Sequence, residues 1–191
     1  MNKNRLEAFS DGVFAILITI MVLELKVPHS PDVHALLDMA PKFMAYTLSF
    51  LFLGIYWNNH HHMMHAAHKV NGAILWANLH LLFWLSLVPF ATAWMGETGW
   101  QSFPVAVYGF MQLASGFGYF LLTGALVRHH GNESVLALAV GSKLKERASV
   151  AGYVVAVAVA FWAPWFAGLI YAAMAAMWLI PDRRIEKAVH G

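Results

Sequence analysis

The sequence predicts an all-α, polytopic membrane protein with six transmembrane helices. Apolar residues make up 60% of the 191 residues and charged residues only 12%, and the mean hydropathy is +0.58. A soluble core cannot absorb that much apolar surface, so this composition is typical of an integral membrane protein. The apolar residues also fall into successive runs of about 20 residues, the length that crosses a bilayer. We therefore treat residues 1–191 as a single six-helix transmembrane domain.

Several classes of protein are excluded by what the chain lacks. It contains no cysteine, which removes disulfides, thiolate nucleophiles and cysteine-ligated metal sites. A net charge of +2 gives no case for nucleic-acid binding. The first apolar run lacks a small-residue cleavage site, so we expect a retained first span and not a signal peptide.

The first two helices are separated by a proline-containing turn. Helix 1 is predicted from Leu6 to Leu25 and stops before Pro28, because proline disfavours a helix interior. Helix 2 is predicted over the apolar run from Phe43 to Trp57. A polar run, Asn58 to His62, follows it.

The middle of the chain predicts two further spans. Helix 3 is expected from Gly72 to Trp94, and helix 4 from Phe103 to Val127. Small residues let helix backbones approach closely in lipid. Helix 4 carries four of them: Gly109, Gly116, Gly118 and Gly124.

The last third of the chain predicts a polar connection and two short spans. Residues 129–147 are polar and basic enough for a loop or a surface helix. The 33 residues of 148–180 would make one helix about 50 Å long, against a hydrocarbon core of about 30 Å. We therefore split this region at Trp162-Ala163-Pro164-Trp165, where proline breaks a helix and tryptophan suits the interface.

The lysine and arginine residues set the orientation. With six spans and a cytoplasmic N-terminus, ten of the twelve lysine and arginine residues fall on the cytoplasmic side, and only Lys26 and Lys42 fall outside. The positive-inside rule therefore favours cytoplasmic N- and C-termini. The ten are Lys3, Arg5, Lys69, Arg128, Lys143, Lys145, Arg147, Arg183, Arg184 and Lys187.

The first helix has an apolar stripe at helical spacing, and two interpretations of it stay open. The 3.6-residue period places Phe9, Gly12, Ile16, Thr19, Ile20 and Leu23 on one side. If copies of this helix surround an axis, the stripe forms apolar rings, and such rings can gate conduction by excluding water. Alternatively, the stripe faces lipid, and Ser10 and Asp11 cap the start of the helix.

Asp11 is the residue of this helix that most needs partners. An acid at the centre of a membrane helix costs about 2.5–3.5 kcal/mol on insertion scales, so it marks a functional or structural site. Arg5 lies six residues earlier, too far for a direct bond within one helix. We expect donors on other helices, and the candidates are Trp57, His60, Asn78 and His80.

Helix 1 contains the string Arg5-x-x-x-Phe9-Ser10-Asp11-Gly12-Val13-Phe14-Ala15-Ile16, followed by Thr19 and the ending Leu23-Glu24-Leu25. This string resembles the signature of the transmembrane protein 175 family of potassium channels. The resemblance implies a bacterial inner-membrane homotetramer whose pore is lined by helix 1 of each subunit. It implies a potassium-preferring channel, not an enzyme, with potassium ions passing in a lipid bilayer and no cofactor.

The resemblance also assigns roles to residues. It makes Ile16 the narrowest constriction and gate, Thr19 a layer tied to potassium preference, and Ile20 and Leu23 further pore-lining positions. It makes the Arg5, Phe9, Ser10 and Asp11 cluster a packing device, hydrogen-bonded to the next two helices. Its expected partners are Trp57, His60, Asn78 and His80.

Two functions from other classes remain as alternatives. The five histidines from His60 to His68 include pairs at helical spacing, such as His61 and His65, that could bind a metal in a membrane metalloenzyme. Such enzymes need several histidine boxes, and the only other pair is His129-His130. These imidazoles could instead sense pH. In a secondary transporter, Asp11 would be the coupling site.

Overall fold

The computed structural model describes residues 3–131 and 143–179, and every regular element within these ranges is an α-helix. In chain order the elements are α1 (Lys3–Leu23), α2 (Val33–Leu37), α3 (Ala40–Ala66), α4 (Gly72–Ser86), α5 (Val88–Glu97), α6 (Ser102–His130), α7 (Lys143–Ala160) and α8 (Pro164–Leu179). With α4 and α5 taken as one interrupted pass and the five-residue α2 set aside, the described chain makes six passes. The predicted all-helical, six-span class is confirmed.

Three of these passes are long and apolar enough to cross a membrane by length and composition alone. They are Lys3–Leu23, Gly72–Glu97 and Ser102–His130, of 21, 26 and 29 residues. The apolar helix α8 is shorter, at 16 residues. The remaining passes, α3 and α7, have polar ends that lower their mean hydropathy.

The second pass is longer than predicted. We expected it to end at Trp57, but α3 continues to Ala66. His60, Met63 and Met64 are buried on the inner side of this extension, and their packing holds the polar run in the helix. The predicted end of helix 1 was also wrong by two residues, because α1 stops at Leu23.

The third pass is broken near its middle. Predicted as one helix from Gly72 to Trp94, it divides at Leu87 into α4 and α5. Pro89 lies in the first turn of α5, where its missing N–H is tolerated; within a continuous helix it would leave the Leu85 carbonyl without its donor. The backbone N–H of Leu87 turns back to the Trp84 carbonyl at 3.2 Å.

The division of the last apolar region is confirmed. Helix α7 ends at Ala160 and α8 begins at Pro164. The start of α7 differs from the prediction, because residues 143–147 belong to the helix and not to the connection before it. This gives α7 18 residues, about 27 Å of helix. Residues 132–142 of the predicted connection, and the cations Arg183, Arg184 and Lys187, lie outside the described residues.

Close helix packing brings α4 against α6. A Cβ added to Gly118 would lie 2.9 Å from the Cα of Leu81, so only glycine permits this approach of the two backbones. One apolar cluster joins α1, α3, α4 and the end of α6. A second joins α3, α5, the start of α6, α7 and α8. The first cluster is the one that holds α1.

Candidate functional site

One side of α1 packs against the rest of the chain. We call it the packed face, and its buried residues are Leu6, Ser10, Phe14, Leu17 and Met21. Their separations of three and four residues follow the helical period. Phe14, Leu17 and Met21 belong to the apolar cluster with α3 and α4. Burial of these side chains fixes the rotation of α1 about its own axis.

The opposite side of α1 contacts little within the chain. We call it the open face, and it consists of Phe9, Gly12, Ile16, Thr19, Ile20 and Leu23. Ile16 is 56% exposed and Leu23 is 75% exposed, whereas Leu17, next to Ile16 in sequence, is 6% exposed. Among the described residues, no atom outside the adjoining backbone of α1 lies within 4 Å of a Cβ added to Gly12. The stripe found by periodicity is therefore the side of α1 that the described part of the chain leaves uncovered.

A chain of buried hydrogen bonds ties the packed face to α3 and α4. His60 and Asn78 are joined at 2.8 Å, the Asn78 amide donates to the Ser10 hydroxyl at 3.0 Å, and Ser10 donates to the Leu6 carbonyl at 2.9 Å. All three side chains are 0% exposed. Because the side-chain nitrogen of Asn78 donates to Ser10, the side-chain oxygen of Asn78 must accept from Nε2 of His60. This leaves His60 Nδ1 buried with no partner among the described residues.

A second contact reaches α1 from the same end of α3. The Trp57 indole N–H donates to Oδ1 of Asp11 at 3.1 Å. One turn further along α3, Nδ1 of His61 lies 3.5 Å from the Glu7 carboxylate. Trp57 is thus the donor that Asp11 required on a neighbouring helix. Both acids of α1 face α3.

Three of the residues in the expected cluster lie apart from this network. Arg5 and Phe9 are exposed, and neither makes a side-chain hydrogen bond or ion pair within the described chain. His80 accepts from the Trp84 indole at 3.3 Å. It lines a cavity of about 1110 Å³ between α3, α4, α6 and α7. The structure therefore joins Ser10, Asn78 and His60 in one chain and Asp11 with Trp57 in another contact.

Thr19 presents its oxygen on the open face. Its hydroxyl donates back to the Ala15 and Ile16 carbonyls at 2.9 and 3.0 Å. Because the proton is used within the helix, the lone pairs of the oxygen are directed outward. An outward oxygen with its proton held behind it can contact a cation.

Sequence reasoning missed a second buried polar network, far from α1. Ser49 and Thr92 are 2.7 Å apart, Ser49 donates to the Tyr108 hydroxyl at 3.1 Å, and Gln112 donates to the same hydroxyl at 3.0 Å. These residues are single polar side chains in apolar helices, so spacing alone gives no signal that they meet. The network joins α3, α5 and α6.

The histidine-rich end of α3 does not assemble a metal site within the described residues. No group of three or more histidine or acidic side chains is placed to hold a metal ion there. The His61 and His65 rings stack at 6.3 Å instead. His61 also stacks on Trp57 at 6.1 Å. These contacts pack the histidine rings against one another and against Trp57.

Comparisons with known proteins find channels among the relatives of this chain. Residues 5–89 match the family described as endosomal/lysosomal potassium channel TMEM175. A potassium channel from Chryseobacterium sp. (strain P1-3) is 52% identical over 99% of this chain and 98% of its own. The human endosomal/lysosomal proton channel TMEM175 is 33% identical over 48% of this chain and 20% of its own.

A solved structure shares the whole architecture. The crystal structure of a lysosomal potassium-selective channel TMEM175 homolog from Chamaesiphon minutus matches with a TM-score of 0.76 and 29% identity, covering 93% of this chain and 96% of the other. The names of the relatives describe channels and not enzymes. With a relative identical at half of all positions along nearly its entire length, this multi-pass membrane chain belongs to the TMEM175 family of channels.

Proposed function

We propose that the chain forms a homotetrameric, potassium-preferring channel in the inner membrane of a bacterium, with α1 of each subunit at the central axis. Ile16 forms the constriction that gates the pore, Ile20 and Leu23 add apolar rings, and Thr19 supplies the potassium-preferring layer. Both termini lie in the cytoplasm. Potassium ions are the permeant species, and no cofactor takes part. Residues 1–191 act as one channel domain.

The observation that carries this proposal is the open face of α1. The described residues of a single chain leave Ile16 and Thr19 uncovered, while hydrogen bonds hold the other side of the same helix. Rotation of α1 is thereby fixed, so each copy in an assembly presents the same residues. Four such faces around an axis would form a narrow pore whose apolar rings exclude water until they move apart.

The competing interpretation places the open face against lipid, and thiol accessibility separates the two. The chain has no cysteine, so Ile20→Cys carries the only thiol. Phe166→Cys, also near a helix end and exposed on α8, is the matched control. A cationic, water-soluble thiol reagent should modify Ile20→Cys and reduce potassium flux in liposomes, and leave Phe166→Cys unmodified. Equal protection of both thiols would place the open face in lipid and refute the proposal.

The selectivity assignment predicts the effect of removing one oxygen. Thr19→Val keeps the branched shape but removes the hydroxyl, so potassium loses an oxygen contact worth about 0.5–1.5 kcal/mol. The potassium-to-sodium permeability ratio should fall roughly two- to tenfold, measured as a shift of reversal potential toward zero. Thr47→Val, at an exposed position of α3, is the control. An unchanged ratio for Thr19→Val would remove Thr19 from the selectivity layer.

A further inference from the structure

His130, the last residue of α6, is bonded on both of its ring nitrogens. Nε2 lies 3.1 Å from the backbone nitrogen of His68 and 3.2 Å from that of Lys69, and it accepts from both N–H groups. Nδ1 lies 3.0 Å from the Leu126 carbonyl oxygen. A carbonyl can only accept, so Nδ1 carries the proton. The partners therefore fix His130 as the neutral ring with a free lone pair on Nε2.

His129, the residue before it, is bonded to the same segment. Its Nδ1 lies 3.2 Å from the side-chain nitrogen of Asn71. The Asn71 oxygen accepts from the Ile74 N–H at 3.0 Å as the cap of α4, so its nitrogen must donate to His129. Nδ1 of His129 is therefore also an acceptor. Residues 67–71, which we call the α3–α4 corner, are held to α6 by two unprotonated imidazole nitrogens.

We propose that His129 and His130 form a pH-sensitive latch that holds the α3–α4 corner and releases it on acidification. Protonation of either ring places an N–H where the corner also presents N–H donors, and neither side then has an acceptor. The three bonds to the corner need unprotonated acceptor nitrogens, so the latch is closed while both rings are neutral and opens when acid protonates them.

The charged side chains next to the latch in sequence are Lys69 on the corner and Arg128 on α6. The His68 ring lies 6.4 Å from the His130 ring. No carboxylate of the described chain lies within salt-bridge distance of either ring; Glu7 pairs with His61. Glu146 on α7 lines a cavity at the level of Tyr119, about 16 Å along α6 from His130.

One effect opposes opening. A cation at a helix C-terminus is favoured by the helix dipole, by about two- to fivefold in the equilibrium constant. Each lost hydrogen bond costs about two- to tenfold, and protonation of both rings removes three. The hydrogen bonds outweigh the dipole, so acidification opens the latch.

The corner connects the latch to the pore helix. It joins the end of α3, which carries Trp57 and His60, to the start of α4, which carries Asn78. These residues hold Asp11 and Ser10 of α1. Opening the corner therefore loosens the support of the packed face, and this step, which rests on the proposed function, makes conduction depend on pH.

Hydrogen exchange of the His68 and Lys69 backbone amides tests the latch without reference to conduction. The 191-residue chain in nanodiscs is compared at about pH 7.5 and about pH 5.5, with rates divided by the intrinsic exchange rate at each pH. Protection of the corner should fall about tenfold or more at the lower pH. Constant protection across this range would overturn the latch.

Matched variants identify the groups responsible. His130→Gln keeps an acceptor that does not titrate, so most of the loss of protection should disappear. His130→Lys places a permanent cation there, and the corner should already be unprotected at about pH 7.5. His62→Gln, on an exposed histidine of α3, should behave like the unaltered chain. An unchanged pH response in His130→Gln, or normal protection in His130→Lys, would overturn the assignment.

Potassium flux at the two pH values then tests the link to α1. The unaltered chain should change its flux between them, and a double variant, His129→Gln with His130→Gln, should change less. If the exchange protection of the His68 and Lys69 amides depends on pH and the potassium flux does not, the latch is supported and its proposed connection to the pore is refuted. If no flux occurs at any pH, the channel proposal fails while the exchange result remains.

Discussion

The two faces of α1 differ in what holds them. The packed face is fixed inside the chain by apolar contacts and by the chain of bonds from His60 through Asn78 to Ser10. The open face has apolar side chains of the same kinds and almost no neighbours among the residues that the structure describes. Ile16 is 56% exposed and Leu17 is 6% exposed, although the two are adjacent. Composition therefore does not separate the faces, whereas polar anchoring does.

This difference shows how one side of a membrane helix can be fixed within its chain while the opposite side stays uncovered. In lipid, apolar side chains gain little by leaving the acyl chains, so packing and hydrogen bonds decide which side of a helix turns inward. Ser10 supplies the only buried polar side chain of α1, and it sits on the packed face. The buried chain of Ser10, Asn78 and His60, which we call the anchor, thus sets the direction in which the open face points.

The largest expected contrast is in stability, between the same substitution at the adjacent positions Leu17 and Ile16. Leu17→Asn removes a buried apolar side chain and buries an amide, so it should destabilise the fold by about 2–5 kcal/mol. Ile16→Asn changes an uncovered position and should leave stability within about 0.5 kcal/mol, while raising basal potassium flux because a polar ring admits water. Thermal unfolding in detergent and liposome flux measure the two effects.

Leu169→Asn, on the exposed side of α8, controls for a polar residue placed in the membrane. It should leave flux at the level of the unaltered chain. Equal destabilisation by Ile16→Asn and Leu17→Asn would remove the distinction between the faces. Unchanged flux in a stable, assembled Ile16→Asn protein would refute the gate.

How far the sequence predicts these faces depends on the residue. Helical spacing separated Ile16 and Thr19 from Leu17, because the period is fixed by backbone geometry. The need for a donor to Asp11 followed from the cost of an acid in lipid. Among the four proposed donors, sequence could not choose Trp57, because the choice depends on how α3 is rotated and on how far it extends.

Other features depend on tertiary contacts that spacing does not encode. The extension of α3 to Ala66 relies on burial of His60 and Met64, which becomes visible only when α1 and α4 are in place. Ser49 and Thr92 meet across 43 positions of sequence. Thr92 also donates to the Val88 carbonyl of its own helix. A hydroxyl satisfied in this way resembles many others in membrane helices, so no pattern marks it as part of a network.

The anchor itself gives the next largest effect. Asn78→Ala removes the central residue of the buried chain, leaves His60 without a partner and takes from the Ser10 oxygen its donor, so it should destabilise the fold by about 1–3 kcal/mol. Asn58→Ala, at an exposed position of α3, should have little effect. Thermal unfolding measures both. A stable Asn78→Ala protein with unaltered flux would show that apolar contacts alone orient α1.

The smallest expected effect is at Trp57 and Asp11, at the rim of the packed face. The bond is 3.1 Å long, but Trp57 is 43% exposed, so water can replace the indole as donor. A double-mutant cycle with Trp57→Phe and Asp11→Asn should therefore give a coupling energy of about 0.6 kcal/mol, the average for polar pairs in membrane proteins. Thermal unfolding of the four proteins measures it. A coupling energy as large as the Asn78→Ala effect would mean that Asp11 is shielded from water and that the anchor extends to the rim. A coupling energy of zero would confine the anchor to Ser10, Asn78 and His60.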